Sequence, residues 1–445
     1  MSGRRLLVLL LVLAAVAAPA GVLRALCVGN ACDDSSSGSP RVPFCSLPAD
    51  LRTQIANGFR EGRSPDVLGV ARGTPLFTDV AGLRIPWPAT TASTDTRVPL
   101  VFAGPRVEPG AAIPDGVTLD RVAPTVADLI SLDRPFPDVR SGTLIDGVAG
   151  PPDARTPARP RLVLLVAWKG VGSAELESSP DDWPFLSSLN AEGVGTLDAR
   201  PGSLPLDPTA VMTTIGTGGL PSQHGITGTV VRNDQGRVTE AFGPNAPVHV
   251  IATLADDLRE TEPRTLVGLV GTAPSDRGLV GGGWYPDQGP VDETIGDPAS
   301  ASLAVQRDLT KGYGADGATD VLGVALQGRV ASLDRWTRRI VVSARAATHG
   351  SVDVIVVGTG TWEARMLAVP SSEVASGVED VVPGARPVIA ETVPGGMFLD
   401  QGVLTAQAIT GQVVVDQLLA AETPEGESMF ADAFQGFAVS FARYC

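Results

Sequence analysis

With 445 residues, 43% of them apolar and 19% charged, the chain can bury a sizeable core, which excludes a disordered polymer. Its formal net charge of −15 comes without clustered Lys or Arg beyond the first residues. That excludes a nucleic-acid footprint and a polybasic membrane patch, so no nucleic-acid partner is expected.

The chain opens with Arg4 and Arg5, followed by the apolar run Leu6–Ala18 and the small-x-small string Ala18-Pro19-Ala20. This predicts a secretory signal peptide over residues 1–20 and an extracytoplasmic location, secreted or in the cell envelope. The alternative is an uncleaved membrane anchor over residues 6–23, the sole membrane contact expected. Residues 21–45 read as a linker with a cysteine loop, of which DDSSSGSPRVP (33–43) is the most linker-like part. Four cysteines, Cys27, Cys32, Cys45 and Cys445, predict disulfides in an exported chain, and four allow three pairings. Cys27 and Cys32 are near enough to close a small loop, which leaves Cys45 with Cys445. Their spacings match no zinc pattern and no His lies near them, so no metal is expected there.

From Pro48 the chain alternates helical patterns with short Val-rich runs. A helix is predicted over Pro48–Phe59. Strands follow at Asp66–Ala71 and Val98–Gly104, then a helix at Val122–Leu132. Four prolines from Gly150 to Pro160 mark a join. Beyond it come a strand at Leu162–Ala167, a helix at Asp182–Glu192, a helix at His249–Glu260 and a strand at Thr265–Gly271. A strand at Asp320–Leu326, a helix at Arg329–Ala346, a strand at Val352–Gly358 and a helix at Val403–Ala420 complete the series. Each strand run is continuously apolar, as in a parallel strand covered on both faces. The fold class predicted is a three-layer α/β sandwich with a mostly parallel central sheet, in which sites gather at the carboxyl ends of strands.

Those ends carry Lys169-Gly170, Gln327-Gly328 and Thr359-Gly360-Thr361-Trp362. Between them lies PLDPTAVMTTIGTGGLPSQHGITG, Pro205 to Gly228, where Pro208 suits a first helical turn and Asp207 can cap it. Lys169 beside that helix start is a candidate anion site with Thr209. The plainer reading pairs Lys169 with Asp207 or Asp198. The three histidines, His224, His249 and His349, are read as packing or capping residues. The Gly-rich stretch Gly278–Pro290 lacks the Lys-Ser/Thr of a phosphate loop, and no cofactor is expected.

The strand 162–167 with its turn, the helix closing in Glu192-Gly193, the string Thr217-Gly218-Gly219-Leu220-Pro221-Ser222-Gln223-His224-Gly225-Ile226 and the late strand with its turn resemble, over about two-thirds of the chain, the alkaline phosphatase superfamily, especially its phosphodiesterase/nucleotide pyrophosphatase and sulfatase-like branches. The resemblance implies an alkaline phosphatase-like fold. It also implies two metal ions about 4 Å apart, held by Asp and His at strand ends, with a Thr, Ser or formylglycine nucleophile. The chain departs from that pattern. The family's Asp after the first strand is Lys169. The nucleophile position, nine residues before Thr217, is Pro208, with Thr209 one place on. Thr359-Gly360-Thr361 replaces a Ser-Asp-His run, and no Asp…His pair follows Gln327. His224 and Gly225, with Thr217 and Gly218, keep the family's structural turn.

Thr96–Gly110 and Gly116–Pro135 resemble segments that close the family's domain, yet stand first here. The reading is a circular permutation. Residues 46–150 would be the family's C-terminal part, 161–445 its N-terminal part plus an unplaced extension, and 46–445 one domain. A truncated tandem copy upstream is the alternative. The function expected is an exported protein without the metal site or nucleophile, a pseudoenzyme that binds a small anion or an envelope protein. The alternatives are a metal-poor hydrolase of phosphate or sulfate esters or phosphodiesters using Thr209 or Ser203, and a purely structural assembly protein.

Overall fold

The computed structural model describes residues 44–73, 75–77, 95–150, 159–247, 249–361, 367–369, 371–381, 387–423, 425–441 and 445. The expected signal peptide, the linker, Cys27, Cys32, most of the Pro-rich join and Trp362 lie outside them.

Two sheets organise the chain. Their strands are β1 (Val67–Ala71), β2 (Val98–Ala103), β3 (Leu162–Lys169), β4 (Val194–Ala199), β5 (Val267–Gly271), β6 (Asp292–Ile295), β7 (Asp320–Gln327), β8 (Val352–Gly358), β9 (Ile389–Val393), β10 (Gly396–Leu399) and β11 (Phe430–Gln435). The central sheet has seven strands in the order β4-β2-β8-β3-β7-β5-β6. From β8 to β6 every pairing is parallel. The flanking helices used below are α1 (Ala49–Gly58), α2 (Val122–Leu129), α3 (Ser173–Ser178), α4 (Pro184–Glu192), α5 (Pro208–Thr217), α6 (Leu254–Thr261), α7 (Ala301–Lys311), α8 (Val330–Ala347), α9 (Ser371–Val381), α10 (Gln401–Gln407) and α11 (Gln412–Leu419). One face of the sheet packs against α2, α5 and α6 through Val163, Leu165, Val211, Ile215 and Leu258; the other packs against α4, α7 and α8 through Leu164, Val166, Leu189, Val305 and Ile340. This is the α/β sandwich with a mostly parallel sheet that the alternating pattern predicts.

Two strands differ from expectation in direction. The run at Val98–Gly104 lies within the central sheet, but it is antiparallel to both β8 and β4. The run at Asp66–Ala71 is not in that sheet at all. It is β1 of a four-stranded antiparallel sheet, β9-β10-β1-β11, built with the C-terminal tail. Val67 and Ala71 pack into the cluster under α9 and α11, while Val70 packs into a second cluster with α1 and Phe434. A continuous apolar run reports that both faces are covered. It carries no information on strand direction or on which sheet does the pairing.

Two helices also differ. The helix expected from His249 begins at Leu254, because Thr253 caps it: its hydroxyl accepts from the Asp256 amide and the Asp256 carboxylate accepts from the Thr253 amide. The helix expected over Val403–Ala420 is broken into α10 and α11 at Ala408, whose φ of 53° is left-handed. Ile409-Thr410-Gly411 follows at once, three residues that weaken a helix interior.

The sheets meet where Leu204 and Leu206, just before α5, enter the cluster of Phe44, Leu51, Ile55, Val70 and Phe434. Cys45 and Cys445, 400 residues apart in sequence, form a disulfide with a Cα–Cα distance of 5.2 Å. No helix among the described residues is long and apolar enough to cross a membrane.

Candidate functional site

At the carboxyl ends of β3 and β8, two tight turns lock together. Gly170 has φ 73°, a left-handed turn that glycine adopts without penalty. Its amide donates to Thr359 Oγ1 at 3.0 Å, and the Gly360 amide donates to the Val171 carbonyl at 3.3 Å. Glu175, in the first turn of α3, closes the assembly. Its carboxylate accepts from the Gly172 amide at 2.8 Å and from Thr361 Oγ1 at 2.6 Å. An open cleft of about 570 Å³ lies alongside, lined by Gly170, Glu175, Gln327 and Arg329 among others.

Lys169 ends β3 and is 8% exposed. Its Nζ donates to Asp276 Oδ1 at 2.6 Å and to Thr272 Oγ1 at 2.9 Å. Asp276 Oδ2 accepts from the Thr272 and Ala273 amides and the Thr272 hydroxyl. The expected partners, Asp207 or Asp198, are therefore replaced by Asp276. The cause is the sheet order: the turn after β5 reaches the end of β3 across β7. Sequence reasoning missed Asp276, although a Thr and an Asp directly after a strand are a visible signal for a strand-end carboxylate.

The start of α5 follows the sequence closely. Asp207 is the N-cap, with Oδ1 accepting from the Thr209 amide at 2.8 Å, and Pro208 opens the helix. The same carboxylate accepts from the Thr229 amide at 2.8 Å and the Thr229 hydroxyl at 3.1 Å. Burial raises its pKa above the ordinary carboxylate range, against the pull of those hydrogen bonds. Thr209 is 2% exposed and its hydroxyl meets Thr229 Oγ1 at 3.0 Å. The structure thus gives Lys169 and the α5 N-terminus separate carboxylates of their own. Ser203 is buried and its hydroxyl makes no hydrogen bond.

All ten residues of α5 are buried. Two of its threonines satisfy their hydroxyls inside the helix: Thr213 donates to the Thr209 carbonyl and Thr217 to the Thr213 carbonyl. Gly218, at φ 79°, ends the helix, and Gly225, at φ 80°, ends the short turn Pro221–His224. His224 is fully buried. Its Nδ1 accepts from the Ile226 amide at 3.2 Å, which makes Nε2 the proton-bearing nitrogen toward Thr214 Oγ1 at 3.1 Å. Burial, with His249 and Arg60 nearby, holds its pKa well below 6.5, so it is neutral. His249 sits beside Asp256 at 3.2 Å, and His349 occupies a left-handed turn position at φ 52°.

The carboxyl end of α5 is held by cations that sequence reasoning did not find. Arg134 and Arg140 both donate to the Thr217 carbonyl at 3.0 Å and both pair with buried Asp257. Positive charge at a helix C-terminus is favourable. Burial pushes the Arg134 guanidinium down to about 10.

The residues at these strand ends do not fit the bimetal centre that the resemblance implies. The leading ligand position is an ammonium, and Asp276 already neutralises it. Among the described residues no three His, Cys, Asp or Glu side chains gather closely enough to hold a metal ion.

The fold defines the molecule as an α/β sandwich, and at its strand ends Lys169 is paired with Asp276 of the same chain. No protein-family model matches the chain, and no curated protein matches it. Among solved structures it is similar to the wild-type alkaline phosphatase PafA, with a TM-score of 0.42 and 13% identity over 59% of this chain and 76% of that one. A multiply substituted mutant of the same enzyme gives a TM-score of 0.42 and 13% identity over 62% of this chain and 85% of that one. At that identity the likeness is one of fold alone.

Proposed function

We propose that the protein is an exported, non-catalytic binding or assembly module of the cell envelope, built on an alkaline phosphatase-like sandwich whose segments are circularly permuted. The supporting observation is the pairing of Lys169 with Asp276 and Thr272 at the end of β3. A dication cannot take a place that an ammonium occupies, and an external anion would have to displace a carboxylate already bound there. An envelope protein is therefore favoured over a small anion as the partner. The permutation is supported by β2, from the segment before the join, pairing with β8 inside the sheet. The Cys45–Cys445 bond is compatible with an oxidising, extracytoplasmic location.

The competing reading, a hydrolase using Thr209, draws on the hydrogen-bonded run from Thr209 Oγ1 through Thr229 Oγ1 to Asp207. A base behind a hydroxyl is how such a nucleophile is activated. The burial of Thr209 weighs against it. The experiment that separates the two measures bound Zn, Mn, Mg and Ca in the purified exported protein, together with turnover of aryl phosphate, phosphodiester and sulfate esters. The expected result is neither stoichiometric metal nor turnover. Turnover that disappears in Thr209→Ala would move the assignment to the hydrolase.

A further inference from the structure

The amino end of the central sheet holds a buried acid that none of the foregoing uses. Asp353 is the second residue of β8 and is 0% exposed. Its Oδ1 accepts from the Arg106 amide at 3.3 Å, while its Oδ2 has no hydrogen-bond partner. Arg106 is itself 5% exposed. It turns its Nε to the Leu129 carbonyl at 3.2 Å and leaves Nη1 without a partner. The two charged groups therefore share a core site without forming an ion pair.

Among the described residues Arg106, from the turn after β2, is the charged group that faces Asp353. On β3 the register partner is Val163, and the end of α2 contributes the Leu129 carbonyl that Arg106 holds. The turn after β2 comes in very close. A Cβ on Gly104 would lie 2.2 Å from Asp353 Oδ1, so only glycine lets the backbone approach the carboxyl group. The same turn pairs with the end of the segment leading to the Pro-rich join. The Gly150 amide donates to the Arg106 carbonyl at 2.9 Å, and Glu108 donates to the Val148 carbonyl at 2.9 Å.

We propose that Asp353 is a protonation-dependent clasp, which holds the Gly104–Gly150 layer on the sheet as the neutral acid and loosens it on ionisation. An ionised carboxylate with one hydrogen bond in an apolar core carries a large desolvation penalty, whereas the neutral acid does not. Consistent with this geometry, burial pushes the Asp353 pKa up to about 7, against the opposing pull of Arg106. Because the folded pKa lies above the unfolded one, the stabilisation is complete below the ordinary aspartate range near 4 and is lost as pH rises through about 7.

The test compares urea unfolding of the full-length exported protein with that of Asp353→Asn from pH 5 to pH 8. Asn keeps the shape and cannot ionise. The ratio of the wild-type unfolding constant to that of the variant should rise by nearly tenfold per pH unit from pH 5 toward pH 7, then level off. A ratio flat across the whole range would overturn the proposal, since Asp353 would then carry the same charge throughout. A second readout needs no variant. After correction for intrinsic rates, hydrogen exchange at the Arg106 and Gly150 amides of the wild type should accelerate above pH 7 while the interior of α5 stays protected. Equal protection at pH 5 and pH 8 at those two amides would also sink it. Arg106→Gln, which removes the opposing charge, should move the onset of that exchange to higher pH; an unmoved onset would count against the pairing described.

Discussion

At the carboxyl end of the central sheet a buried lysine meets a buried aspartate, and both aspartate oxygens are occupied. At the amino end of the same sheet a buried aspartate and a buried arginine touch through the backbone, and each keeps an unpartnered atom. The difference shows where this fold has fixed its charges and where it has left one free to titrate. In a hydrolase the opposite distribution is the useful one, because open positive charge at strand ends is what grips an anionic substrate. Here the buried lysine at that end is paired with the chain's own Asp276.

The largest effect should come from opening the satisfied end. Lys169→Met leaves Asp276 as an uncompensated buried charge and should destabilise by about 3–5 kcal/mol, read as a lower urea midpoint. Adding Asp276→Asn should restore part of that loss, because the orphaned charge goes with it. A double-variant loss equal to the sum of the losses in Lys169→Met and Asp276→Asn measured singly would show that the pair is not coupled.

The disulfide comes next. Cys445→Ser frees a chain of 400 residues between the cross-linked positions and should cost roughly 2–5 kcal/mol. Reductant should lower the wild-type midpoint by the same amount and leave the variant unchanged. An identical midpoint with and without reductant would remove the bond from the account.

Asp207→Ala should cost about 1–2 kcal/mol, since it strips the α5 cap and leaves the Thr229 amide without its acceptor. The last effect is a change in pH dependence and belongs to Asp320, at the amino end of β7. Burial raises its pKa to about 6 even though it accepts from the Gly314 and Leu266 amides. Its contribution is complete below pH 4 and is lost as pH rises through about 6. Asp320→Asn should therefore flatten part of the stability gain between pH 7 and pH 4, within a total of about 3 kcal/mol. A pH profile unchanged by the substitution would show that the satisfied backbone hydrogen bonds outweigh burial.

Much of the fold was legible because apolar runs and helical spacing report burial directly. Leu162–Ala167, Thr265–Gly271, Asp320–Leu326 and Val352–Gly358 fall in the parallel part of the central sheet. The same signal was silent on direction for Val98–Ala103 and on sheet membership for Val67–Ala71, since a strand covered on both faces reads alike in either setting. At the site, local chemistry was legible: Asp207 as cap, Pro208 at the helix start, and Gly218 and Gly225 at left-handed turns. The Lys169 partner was not. It comes from a turn 107 residues away along the chain, and only the strand order brings it near. Arg134, Arg140 and Asp257 were hidden for the same reason, as was Asp353, whose isolation depends on Arg106 turning toward Leu129.

Whether the positive groups at the strand ends are already spoken for is tested most directly by thermal stability against phosphate and sulfate, with Lys169→Met alongside. The account predicts no saturable stabilisation of either protein. A stabilisation approaching about 2.7 kcal/mol at one hundred times an apparent dissociation constant, present in the wild type and absent in Lys169→Met, would contradict it.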